Sequence, residues 1–171
     1  MGVVVAIDPG VTGAIGVIDS RTGKGVDVID VPVVQAKRKQ LALSPYYLML
    51  KDLEIDSAAV EEVNSHATGS IMTAFTFGIT YIVPQCYFVT LGIPYDLILP
   101  NEWKKAYRLT NKDKDASRRA AMQYFPDLTH KFTRKQDHNR ADAMLIARYQ
   151  WEKYKNILTS SLPRVPLGEG R

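Results

Sequence analysis

The sequence is short of several things, and each shortage narrows what the chain can be. It has one cysteine, Cys86, which excludes an intrachain disulfide and fits a reducing compartment. It has no internal repeat and no low-complexity block. No basic region precedes the first apolar run, and Asp8 interrupts that run, so a signal peptide is not expected. No Asp, Glu, Lys or Arg occurs between Glu62 and Asp96. Within that gap Ile71 to Ile93 is long enough to span a bilayer. It also carries Thr73, Thr76, Thr80, Pro84, Gln85 and Thr90, and its flanks lack basic anchors. A long buried helix over 71–91, broken or kinked at Pro84, is therefore expected, with part of it buried against a second copy of the chain, and no membrane partner.

At 171 residues the chain is long enough for one domain. The domain is expected over 1–157, followed by a disordered tail over 158–171, where Pro and Gly accumulate. A net charge of +4 and a pI of about 9.1 suit a polyanionic partner. The basic residues gather late, at Lys104-Lys105, Lys112 to Lys114, Arg118-Arg119 and Lys131 to Lys135.

Val3 to Ile7 is wholly apolar, as in a strand buried on both faces, and it ends in Asp8. The turn signals Pro9-Gly10 and Thr12-Gly13 follow, and then a second apolar run to Ile18. Ala14 to Asp19 and Gly25 to Val31 continue an antiparallel meander. Leu41 to Leu53 reads as a helix and Ala58 to Val63 as a fourth strand. Pro94 to Leu99 reads as a fifth strand, and 101–107 and 114–124 as short helices. A loop is expected over 125–134 and an amphipathic helix over 138–155. Together these predict an α/β fold with a mixed five-stranded sheet flanked by helices.

Three carboxylates stand out. Asp8 ends the first strand, Glu61 ends the fourth, and Asp142 opens the last helix. A carboxylate at the end of a buried strand is costly to desolvate unless a cation accompanies it, although an Asp capping a turn is the plain alternative. If the first and fourth strands are neighbours, Asp8 and Glu61 lie side by side, and their repulsion calls for a cation between them. Glu61 is preferred over Glu62 because Glu62 shares its register with Val60, a core position on the other face. His138 precedes Asp142 by one helical turn and shares its face; it is either a ligand or an ordinary helix-start residue. Asp142 could instead pair with Arg148. Such a set of O and N ligands facing a phosphate suits two divalent ions. His66, in the polar loop 64–70, could touch DNA or lie in a plain connection, and Phe75 and Phe77 could stack on bases or sit in the core.

The segments Ile7-Asp-Pro-Gly-Val-Thr-Gly13, Val60-Glu-Glu-Val63, Phe75-Thr-Phe-Gly78, Leu91-Gly-Ile-Pro-Tyr95, Pro100 to Lys105 and Asp137-His-Asn-Arg-Ala-Asp-Ala143 are found in this order. In order and spacing they resemble the RuvC-type Holliday junction resolvases, most of all the phage and organellar branch. The resemblance runs from Val3 to Tyr149. It implies a ribonuclease H-like fold, a homodimer, and Mg²⁺- or Mn²⁺-dependent cutting of four-way DNA junctions, with two ions at each site. By motif, Asp8, Glu61 and Asp142 match the acidic ligands. His138 falls where that branch has a histidine, while Asn139 occupies the position used by some bacterial members. A lysine near Lys112 to Lys114 is implied at the scissile phosphate, and Lys104 and Arg118 are further candidates for DNA contact. The phage-like motifs make a bacterial cytoplasm the expected location. Two other functions are weighed. Asp-Pro-Gly-Val-Thr-Gly also resembles the phosphate loop of actin-like ATPases and sugar kinases, which need a second such domain. A non-catalytic module binding branched DNA has no use for acids facing phosphate.

Overall fold

Every residue from Val3 to Asp8 is buried, and a strand of that kind needs cover on both faces. A computed structural model, which describes residues 1–62 and 70–161, shows how the cover is supplied. β1 (Gly2–Asp8), β2 (Ala14–Asp19) and β3 (Gly25–Asp30) form the expected meander. A small hairpin follows, β4 (Val33–Gln35) with β5 (Lys39–Leu41). Next come α1 (Leu43–Leu50), β6 (Glu54–Glu61), α2 (Ile71–Thr90) and β7 (Tyr95–Ile98). The chain continues through α3 (Pro100–Ala106), α4 (Lys114–Tyr124), two 3-10 turns (Pro126–Phe132 and Lys135–Asp137) and α5 (His138–Ser161). The main sheet has five strands in the order β3-β2-β1-β6-β7, with β6 and β7 parallel to β1 and the meander antiparallel. The mixed five-stranded sheet is therefore present as the sequence predicts.

Strand alternation divides the core in two. Val3, Val5 and Ile7 pack with Tyr46 and Leu50 of α1 and Phe88 of α2. Val4 and Ala6 face the other way, onto Trp103 of α3, Ala121 of α4 and the apolar side of α5. Where α5 crosses the sheet, the second interface narrows to small residues. A β-carbon on Gly16 would come within 2.6 Å of the Ala143 carbonyl oxygen, so glycine there lets α5 lie directly on the sheet.

The structure departs from the sequence reading in five places. Leu41 closes a strand, and the helix expected from it begins only at Leu43 and ends at Leu50. β6 starts at Glu54, four positions before the expected Ala58, because its first part alternates exposure instead of being continuously apolar. The loop expected over 125–134 contains a 3-10 turn that buries Leu128 and Phe132. The largest difference is α2. The helix runs unbroken through Pro84, but only Thr80, Pro84, Gln85 and Phe88 are buried. Ile71 is 88% exposed, Phe75 63% and Val89 64%. Lack of charge predicted a core helix, yet one helix on a sheet face can bury only one stripe. By length and composition alone α2 could also cross a membrane. At its C-terminal end α5 continues to Ser161, past the expected Lys155.

Candidate active site

β1 and β6 run parallel with Ile7 beside Val60, so the next residues along, Asp8 and Glu61, are neighbours across the ladder. They share the sheet face of Ala6 and Ala59, which pack toward α5, while Val60 lies in the opposite core. Glu61 therefore lies on the face of the sheet that carries Asp8. α5 brings in Asp142, and His138 lines the same cleft from one turn earlier. All four side chains, with Lys104, Lys112, Asn101 and Ser117, line an open cleft of about 530 Å³.

The cleft is electrostatically unfavourable for its own acids. Burial raises the carboxyl of Asp8 well above the ordinary carboxylate range, and the charges of Glu61 and Asp142 raise it further, against the pull of Lys104. Glu61 is also raised, first by burial. Its hydrogen bond from Trp103 opposes this, Asp142 adds to it, and Lys104 opposes it. The Trp103 indole Nε1–H donates to Glu61 Oε1 at 2.9 Å from a wholly buried ring, which fixes where the carboxylate points. Hard oxygen donors held together against repulsion, with one imidazole beside them, fit a divalent cation chemically. Among the described residues, however, no group of three or more His, Cys, Asp or Glu side chains stands ready to hold an ion. Asp8, Glu61, Asp142 and His138 are the residues that would hold such ions.

The start of α5 is heavily braced. Arg134 donates to Asp137 Oδ1 at 2.8 Å from Nη2 and at 3.0 Å from Nε. Burial disfavours ionisation of Asp137, but its bonds to Arg134 and the nearby Arg140 charge outweigh this and hold the carboxyl below its usual range. Arg140 in turn pairs with Asp30 of β3 at 2.5 Å. Asn139 Nδ2–H donates to the Thr12 carbonyl at 2.5 Å, pinning the turn after Asp8 to the helix that carries Asp142. That bond engages one N–H of the Asn139 amide, while His138 and Asn139 both line the cleft. The His138 Nδ1 lies 3.1 Å from the Lys135 carbonyl; with the proton on Nδ1 for that bond, the Nε2 lone pair is free to act as a ligand. Were the cleft a metal-dependent nuclease site, His138→Ala would lower the cutting rate at least tenfold and leave DNA affinity unchanged. A ring that only starts the helix would show its loss in the thermal midpoint instead, so rate and midpoint are to be measured on one preparation.

The remaining candidates divide. Lys104 and Lys112 line the cleft. Arg118 does not: its Nε donates to the Phe132 carbonyl, Nη2 to the Thr133 carbonyl and Nη1 to Asp115. It ties α4 to the 3-10 segment, a role invisible in a sequence where it reads as one more base. Lys114 opens α4, one residue after the N-cap Asp113. His66 lies outside the described residues. Arg148, the alternative partner weighed for Asp142, sits 2.9 Å from Glu152 and over the Tyr124 ring. Phe75 is exposed, contrary to a core role, whereas Phe77 lines a second groove beside Asp8. Sequence reasoning did not single out Trp103, Asn101 or Ser117. The first two lie in the segment Pro100 to Lys105, but nothing in that segment says that the indole meets Glu61.

No protein-family model and no curated protein matches the chain by sequence. By shape the chain has the ribonuclease H-like fold. Among solved structures it is similar to RuvC of Thermus thermophilus in complex with a Holliday junction substrate, at a TM-score of 0.62 and 16% identity, covering 91% of this chain and 96% of that one. A second structure of Thermus thermophilus RuvC gives a TM-score of 0.62 and 18% identity, covering 90% and 96%.

Proposed function

We propose that the chain is a divalent-metal-dependent endonuclease that resolves four-way DNA junctions by paired, symmetric incisions. One observation carries this reading: Asp8, Glu61 and Asp142, delivered by three separate elements, meet in a single cleft with Lys104 and Lys112 on its rim. The carboxylates and His138 would hold the ions, and Lys104 and Lys112 would receive phosphate. Two Mg²⁺ or Mn²⁺ ions bound there supply a more acidic water and charge neutralisation at the leaving oxygen. The likeness in shape to RuvC supports the choice of a junction as substrate, and His138 supports the phage and organellar branch within that family. A bacterial cytoplasm suits the activity.

The test is a labelled synthetic four-way junction with Mg²⁺, with Ca²⁺ and with chelator, against linear duplex of the same sequence. Cutting of the junction alone, in Mg²⁺ alone, is the expected result. Ca²⁺ should allow binding with little cutting, because its larger and looser shell positions water poorly. Binding without cutting in every metal would favour a non-catalytic module, and nucleotide hydrolysis without cutting would favour an actin-like phosphate site.

A junction of near two-fold symmetry needs two matched sites, and a C2 dimer supplies them. The exposed stripe on α2, with Ile71 88%, Phe75 63%, Ile82 50% and Val89 64% exposed, is the face we assign to the second copy. Thr80 is buried and is not part of that face. Ile82→Glu is expected to shift the protein from dimer to monomer in light scattering with its circular dichroism intact. It should also uncouple the paired cuts into single nicks. A variant that remains dimeric would place the interface elsewhere.

A further inference from the structure

A second groove of about 410 Å³ opens on the other side of Asp8. Its floor is the Pro9–Thr12 turn, one wall is Met72, Thr73, Thr76 and Phe77 of α2, and its rim is Arg38 and Lys39 at the start of β5. It shares Asp8 and Asn139 with the carboxylate cleft, so the two depressions meet at the proposed reacting centre. We infer that this groove holds the DNA strand on the flank of the scissile phosphate opposite the Lys104–Lys112 cleft, with Arg38 and Lys39 as its phosphate contacts. The inference rests on the nuclease reading and extends it to a site that reading does not use.

The chemistry of the groove favours a nucleotide strand over the other occupants. A strand whose phosphate lies at Asp8 must continue past it in both directions, and this groove is the opening on the second side. Its volume is that of a small-ligand site, roughly 300–1,000 Å³, and not that of a duplex arm. Phe77 and Met72 offer apolar surface to a base or sugar, while the hydroxyls of Thr73 and Thr76 are bonded within the helix, to Ser70 and to the Met72 carbonyl. The β4–β5 hairpin carries Lys37, Arg38 and Lys39, all exposed, and among the described residues none of them has an ion-pair partner. Lys39 also borders a neighbouring depression with Asp30 and Asp137, but those acids are already engaged, Asp30 with Arg140 and Asp137 with Arg134. The rim is thus left with positive charge facing the groove. Bases at the edge of a small hairpin often only guard it against strand pairing. Arg38 and Lys39 differ from that case in lining a depression that contains Asp8.

The experiment compares the full chain, Arg38→Ala/Lys39→Ala, and a charge-reversed Arg38→Glu/Lys39→Glu. The control is Arg21→Glu/Lys24→Glu, which makes the same change in net charge on the turn at the far end of β2 from Asp8. Binding to a four-way junction in Ca²⁺ is measured across a salt series. Each lost contact should reduce the slope of log affinity on log salt by about 0.7–1. The alanine pair should therefore show a shallower slope and weaker binding, the glutamate pair weaker binding still, and the control neither. In parallel, photoreactive thymidines placed on either side of the cut site should crosslink to the 72–77 peptide from one flank only, and less so in the glutamate pair. A wild type that binds and cuts the junction, with unchanged slope in the alanine pair and no crosslink to 72–77, would overturn the groove and leave the nuclease reading standing. A wild type that neither binds nor cuts overturns both.

Discussion

Asp8→Asn, Glu61→Gln and Asp142→Asn should each reduce junction cutting by more than about a hundredfold, the upper end of what losing an outer-shell partner of a metal ligand costs. Each substitution keeps the shape of the side chain and removes the charge that a hard cation needs. Because the three come from β1, β6 and α5, losing one leaves the other two in place, so the effect is on chemistry and not on assembly of the cleft. Junction affinity should survive, since phosphate contacts from Lys and Arg supply most of it. The measurement is a single-turnover cutting rate beside a binding isotherm in Ca²⁺. Near wild-type cutting by any one variant would remove that residue from the site.

The same acids should make the metal-free protein less stable than its neutral variants. Asp8 and Glu61 have their carboxyls raised in the folded state, chiefly by burial, so the folded chain binds more protons than the unfolded one above the ordinary carboxylate range of about 4. Stability in chelator should therefore fall as pH rises from about 5 through the raised values. Asp137, Asp30 and Asp19, whose carboxyls are lowered, act in the opposite sense, but their contribution is lost only below about pH 4. Asp8→Asn should flatten the slope above pH 5 and raise the thermal midpoint in chelator at pH 7.5. Each 1 kcal/mol gained is worth about 2–4 °C for a chain of this size. Mg²⁺ or Mn²⁺ should raise the wild-type midpoint and leave that of Asp8→Asn nearly unchanged, because only the charged site gains by mass action. A wild-type midpoint insensitive to both pH and metal between pH 5 and 8 would mean that the repulsion read from the geometry is relieved some other way.

What the sequence determined by itself was periodicity and order. The apolar run ending in Asp8, the Gly-rich turn after it and the alternation through Val60 and Glu61 are local patterns. They were enough to predict the five strands of the main sheet and its mixed character, though not the β4–β5 hairpin. The motifs spread along the chain could name a family resemblance for the same reason, since order and spacing are one-dimensional facts. Tertiary structure decided everything that depends on who meets whom. Only the ladder register sets Asp8 beside Glu61, and only the close approach of Ala143 to Gly16 brings Asp142 down to them. The indole of Trp103 on Glu61, the Asn139 amide on the Thr12 carbonyl and the diversion of Arg118 into a structural role join residues far apart in sequence. The uncharged helix α2 was misread for a related reason. Composition records that a segment is apolar, but how much of it is covered depends on the area its neighbours offer, and here the sheet covers one stripe and leaves the rest exposed.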